Sequence, residues 1–260
     1  MKKNIKIMIA THKKYEMPSD KMYLPIQVGS ELNKDLGYQR DNTGENISQK
    51  NPYYCELTAL YWGWKNLNAD YIGLVHYRRH FRGQNKKSKN IFDLVVSQKE
   101  INKILKETDV ILPKERNYYI DDLYSHYKHT MYIETLIETE NIIKEKYPEY
   151  IFEFNKLHKR TSAHMFNMFI MKKEIFDRYC EWIFDILFEL EKRIDPKKFE
   201  AFHARYLGRI SELLLDVWIN ENKIKYKELN VLNIEKTNWI LKGKAFLKAR
   251  FFGKKYENSF

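Results

Sequence analysis

The 260-residue chain is 43% hydrophobic and 31% charged, a globular composition, and is long enough to bury about three quarters of its extended surface without disulfides. Its 2 cysteines, Cys55 and Cys180, exclude a disulfide framework and a cysteine-rich zinc module and point to a reducing compartment. Lysine and arginine number 46 against 35 acidic residues, a net charge of +11, which calls for an anionic partner without choosing among nucleic acid, nucleotide phosphate and acidic membrane.

Met1-Lys2-Lys3 precedes only a short apolar run, Ile5 to Ala10, too short for a signal peptide. No stretch approaches the ~18 apolar residues of a spanning helix, so a cytoplasmic location is expected. The run itself, rich in isoleucine, reads as a buried first strand that ends in Thr11-His12-Lys13-Lys14. Residues 23–28 form a second strand. Residues 29–50 are a long polar loop, of the kind that is usually functional or mobile. Asn51 at an N-cap and Pro52 at the next position open a mostly buried helix to about Leu67. A third strand, Tyr71 to Val75, stops at His76-Tyr77-Arg78-Arg79-His80. Ser97 and Glu100 make a capping box for a helix to about Glu107, followed by a strand at 109–113.

This alternation predicts an α/β fold with a largely parallel central sheet. Residues 120–158 read as helical. A strand follows at 165–171, then helices at 172–193 and 198–220 and a last strand at 226–231. No internal linker is visible, so residues 1–231 are read as one domain and 232–260 as a tail. From Thr237 to Phe260 the tail mixes six Lys or Arg with bulky apolar residues. It reads either as an in-plane membrane anchor or as a helix docked on its own domain.

Five consecutive hydrogen-bonding side chains, His76 to His80, at a strand's carboxyl end suit an anion, because ligands of open α/β sheets bind there and arginine offers bidentate geometry to phosphate. The competing reading is a solvated basic turn with one arginine paired to a carboxylate. Thr11 and His12 face the same crevice as base or ribose contacts, unless Thr11 merely caps a turn. The segment 41–51, with Asp41, Asn42, Asn46 and Asn51, is dense in side chains that bond hydroxyls; it is a sugar or nucleotide lid or an ordinary polar loop. His126 and His129, three apart near Asp121 and Asp122, have a spacing that can bind metal but more often marks a surface face. His164 and Asn167 are polar residues in an apolar stretch. Glu212, near Arg205 and Arg209, is a general-base candidate or an ion-pair partner near a helix start. There is no Walker loop and no nucleophile elbow.

Together, Thr11-His12-Lys13, the 41–48 segment, Asn51 to Lys65 with Cys55-Glu56-Leu57-Thr58, Gly73 to Arg79, Asn167 to Lys173 and Gly208 to Glu212 resemble the capsular and exopolysaccharide glycosyltransferases grouped as domain of unknown function 4422. The resemblance spans roughly residues 4–220. It implies a GT-A-like, Rossmann-type fold with a mostly parallel central sheet, flanking helices and a helical C-terminal part. It further implies hexose transfer, with galactose favoured, from a UDP-sugar to a lipid-linked glycan at the inner face of the cell membrane. On that reading Thr11, His12, Lys13, Asp41, Asn42, Asn46, Asn51, His76 and Tyr77 hold the donor. Arg78 and Arg79 stabilise the leaving diphosphate, His164, Asn167 and Arg209 shape the acceptor pocket, and Glu212 is the base. Common GT-A enzymes carry an Asp-x-Asp metal pair where this chain has His76 to Arg79. No metal ligand is therefore assigned and no Mn²⁺ or Mg²⁺ is expected to be required. No RNA-binding signature occurs, so nucleic acid is not an expected partner. The alternative from another class is a non-catalytic RNA or anionic-polymer binder, with steeply salt-dependent binding.

Overall fold

The computed structural model describes residues 3–85 and 87–235; the basic segment 237–260 lies outside them. The chain forms two compact units that alternate along the sequence. The first contains residues 3–114, 166–182 and 224–235, and the second 115–165 and 183–223.

The first unit is built on a sheet whose strands are β1 (Ile5–Thr11), β2 (Tyr23–Gln27), β3 (Gln39–Arg40), β4 (Tyr71–His76), β5 (Arg79–Phe81), β6 (Val110–Pro113), β9 (Phe169–Lys172), β10 (Lys227–Leu229) and β11 (Val231–Asn233). The main path runs β10-β6-β9-β4-β1-β2-β3, with β5 pairing β4 and β11. Strands β3, β2, β1 and β4 are parallel neighbours, as are β6 and β10. Strand β9 joins the two groups and is antiparallel to both β4 and β6. The expected largely parallel sheet is thus a mixed one. Strand β5 is likewise antiparallel to β4. Residue alternation gives no sign of pairing direction, so reversed strands are invisible in the sequence.

Both faces of β1 are covered beyond Lys6, which explains its apolar run from Ile7 to Ala10. Ile5, Ile7 and Ile9 enter a core with Tyr23, Val75, Phe81, Ile101, Leu105 and Ile170. Met8 lies under α2 (Leu57–Asn66), close enough that a Cβ on Gly63 would meet its sulfur at 2.3 Å. The capping box forms as expected at Ser97 and Glu100 and starts α3 (Gln98–Ile104). The single helix expected from Asn51 is instead two pieces, α1 (Asn51–Tyr54) and α2, with Cys55 and Glu56 between them. Asn51 does not cap. A 3₁₀ turn at Ser48–Lys50 precedes it, and its amide nitrogen bonds the Cys55 carbonyl at 2.8 Å and Thr58 Oγ1 at 3.3 Å.

The second unit holds the short pair β7 (Arg116–Asn117) and β8 (Ser162–Ala163) with α4 (Leu123–Thr130), α5 (Ile133–Lys146) and α6 (Ile151–His158). Helix α7 (Lys173–Arg193) contributes its second half, and α8 (Tyr206–Glu221) packs on α5 and α6. The sequence places the start of this last helix at 198, but residues 203–205 form a 3₁₀ turn and α8 begins at Tyr206. Among the described residues no helix is long and apolar enough to cross a membrane.

Candidate functional site

In the first unit β1 and β4 are adjacent and parallel, with Ala10 opposite His76. The segments that follow them, Thr11 to Lys13 and His76 to Arg78, therefore emerge side by side at the carboxyl end of the sheet. Thr11 is 1% exposed. Its hydroxyl donates to the Lys13 carbonyl at 2.7 Å and accepts from the Lys13 amide at 3.3 Å, so it caps the turn that presents the two exposed residues His12 and Lys13. The His12 ring meets Tyr77 edge-on at 5.3 Å. The Lys13 ammonium sits 5.0 Å over Tyr77 and 5.4 Å over Tyr15, and the Arg78 guanidinium 5.4 Å from the Tyr77 ring.

One carboxylate faces these cations. Glu235 lies 3.4 Å from Lys13 and 3.7 Å from Arg78, and all three side chains are a third or more exposed. Exposed pairs of this kind contribute about 0–1 kcal/mol, so a bound phosphate can displace Glu235 at little cost. Burial, followed by the charge of Glu235, raises the Tyr15 phenol above its ordinary range.

A second set of contacts ties three distant segments together beyond the end of β4. His76 Nε2 meets the Phe166 carbonyl at 2.5 Å, and the Arg79 guanidinium stacks 4.5 Å from the Phe166 ring. Phe166 and Asn167 both have positive φ, 77° and 52°. This left-handed pair explains why the strand expected from Met165 begins only at Phe169. Asn167 is 1% exposed and donates from Nδ2 to Glu56 Oε1 at 2.7 Å. Glu56 follows Cys55, whose φ of 52° and ψ of −126° lie outside the regions open to a side chain with a Cβ. Glu56 was hidden from the sequence by its setting in an apparently continuous helix. The Cys55-Glu56-Leu57-Thr58 run carried the only signal.

The 41–51 loop is largely occupied with its own bonds. Asp41 is fully buried and accepts from the Gly29 and Ser30 amides at 2.8 and 3.0 Å and from the Ser48 hydroxyl at 2.5 Å. Asn42 donates to Glu31 at 2.9 Å. Asn46 donates to the Gly44 carbonyl at 2.9 Å and accepts from the Ser48 amide at 3.1 Å. Asp41 shapes the loop from inside; Asn42 and Asn46 are its half-buried polar groups.

The remaining candidates belong to the second unit. Glu212 sits in the second turn of α8, 7% exposed, with Arg209 at 3.4 Å. It is not at the helix start. Burial, with Glu212 adding to it, pushes the Tyr118 phenol up to about 12. His164 and Asp216 are each 1% exposed. Asp216 accepts from the His164 amide at 3.0 Å and pairs directly with its Nδ1. Glu115 accepts from Ser162 at 2.6 Å and pairs with Arg160. One ligand atom from each of Glu115, His164 and Asp216 lies within 4.8 Å of the others, so these three can hold a cation. Arg160 already pairs with Glu115, and His164 with Asp216. His126 and His129 do not converge. His129 bonds Asp121 at 2.9 Å while His126 stacks on Tyr118 at 4.3 Å.

The family described as domain of unknown function DUF4422 matches residues 6–223. No curated protein matches the chain. Among solved structures, the apo structure of the bifunctional glycosyltransferase WbbM is 32% identical with a TM-score of 0.81, over 90% of this chain and 46% of that one. The chain thus spans about half the length of that protein.

Proposed function

The chain belongs to the DUF4422 family and has a GT-A-like fold, and from that premise we propose that it is a glycosyltransferase that uses a UDP-hexose, galactose being the favoured sugar. The observation that carries the reading is the cationic and aromatic edge where β1 and β4 end, held by exchangeable contacts to Glu235. In this mechanism His12 and Tyr77 flank the nucleotide, and His76, Arg78 and Arg79 bind and stabilise the departing diphosphate. The acceptor hydroxyl oxygen attacks the anomeric carbon, the bond to the diphosphate oxygen breaks, and UDP leaves with the electron pair. Glu212 takes the hydroxyl proton. Direct displacement inverts the anomeric centre. The acceptor is a lipid-linked glycan, and residues 237–260 hold the enzyme at the inner membrane face.

A guanidinium cluster does the work of a divalent ion in this scheme, so transfer proceeds in chelator. Calorimetry with UDP and UDP-galactose, first in excess chelator and then with Mn²⁺, tests it. Micromolar binding in chelator is expected, lost in Arg78→Ala. Glu212→Gln is expected to bind the donor normally and turn over 10²–10⁴-fold more slowly. Binding only with Mn²⁺ would move attention to Glu115, His164 and Asp216. No binding under either condition would favour an anionic-polymer binder.

A further inference from the structure

Glu56 occupies the N-cap position of α2, yet its side chain makes no capping bond to that helix. Short side chains such as aspartate and asparagine cap helices from this position; the longer glutamate does not. Here it turns away and accepts from Asn167 Nδ2 at 2.7 Å, a partner 111 residues distant in sequence. Both ends of this contact stand on positive-φ backbone: Cys55 immediately before Glu56, and the Phe166–Asn167 pair. Such conformations persist only where the surroundings impose them. The surroundings are visible. Asn51 holds the Cys55 carbonyl, and His76 holds the Phe166 carbonyl. No cation pairs with Glu56 among the described residues.

The arrangement is thus a half-buried carboxylate of fixed orientation. It is linked through Asn167 and Phe166 to His76, the residue that ends β4. Asn167 occupies one lone pair of Oε1, and a carboxylate has further lone pairs with which to accept from hydroxyl groups. We propose that Glu56 accepts hydrogen bonds from ring hydroxyls of the transferred hexose and sets sugar specificity, with Asn167 as its positioning residue. This rests on the donor reading above, and goes beyond it by placing the sugar contact on a residue outside the diphosphate cluster.

The experiment separates the sugar from the nucleotide. The full chain is titrated with UDP and with UDP-galactose in chelator, as wild type, Glu56→Gln and Asn167→Ala. Hydrogen bonds to a charged acceptor contribute about 1.5–3 kcal/mol, so Glu56→Gln is expected to weaken UDP-galactose about 10- to 100-fold while UDP binding stays within about twofold. Asn167→Ala is expected to shift the same ligand selectively, by less. Unchanged UDP affinity is also the control for folding, since a merely structural role would move both ligands together. Equal loss for both ligands, or wild-type UDP-galactose affinity in Glu56→Gln, would overturn the role and leave the transferase reading intact. Failure of the wild type to bind either ligand both in chelator and with Mn²⁺ would overturn the donor reading itself, and the role of Glu56 with it.

Discussion

Cys55 carries a β-carbon in a conformation, φ 52° and ψ −126°, that suits glycine alone. The sequence offers no warning, because glycine and asparagine are the residues that announce positive φ and neither stands there. This is why Asn51 to Leu67 reads as one helix and why Glu56 escapes notice, although the basic, hydrogen-bonding character of His76 to Arg79 is plain from composition. Replacing Cys55 with glycine removes strain of about 1–3 kcal/mol against a glycine entropy cost of about 0.5–1 kcal/mol. Cys55→Gly is therefore expected to raise unfolding stability by about 1 kcal/mol in urea titrations. Cys55→Ala, which keeps the β-carbon, is expected not to. The polar residues of the 41–51 loop show the opposite limit. Their chemistry is legible, but whether a carboxylate such as Asp41 faces a ligand or its own backbone depends on folding of the loop.

At the scale of elements, the isoleucine-rich first strand, the strand ending at His76 and the capping box at Ser97 and Glu100 are all legible, because each rests on local pattern. Elements defined by partners are not. The start of β9 is set by the left-handed pair before it, and its direction by β4 and β6. Gly73 lies at that seam. A Cβ there would come within 2.8 Å of the Phe169 carbonyl oxygen and 2.9 Å of Ile170 Cγ1, both closer than side chains approach in packed interiors. The backbone oxygen cannot rotate away, so Gly73→Ala is expected to destabilise the first unit by about 1–3 kcal/mol. Calorimetric or urea melts read the change directly.

For the molecule as a whole, the interleaving of two units explains why no linker is visible. The second unit is entered at 115 and left at 165, then entered again at 183, with no proline- or glycine-rich break at these places. Two buried histidines, one in each unit, tie stability to pH. Burial lowers both His80 and His158 from the ordinary 6.5 to about 4. Above about pH 6.5 both are neutral in the folded and unfolded chain and their contribution is complete. Between 6.5 and 4 the unfolded chain takes up protons that the folded chain refuses, so stability falls as pH falls, by up to about 1.4 kcal/mol per pH unit for each residue. Urea midpoints measured from pH 7.5 to 4.5 should show this decline, and His80→Phe should flatten it.

The reversed strand β9 has a consequence for synthesis. Strands β4 and β6 lie on either side of it and do not pair with each other, so each holds that edge open until residues 169–172 leave the ribosome, and β6 holds its other edge open until β10 follows. A nascent chain halted near residue 165 exposes one edge of β4 and both edges of β6, each a template for another chain. The long-range pairing that closes them is a slow kind of contact to form. The interval from the synthesis of β6 to that of β10 is the window in which edge pairing with another chain is open.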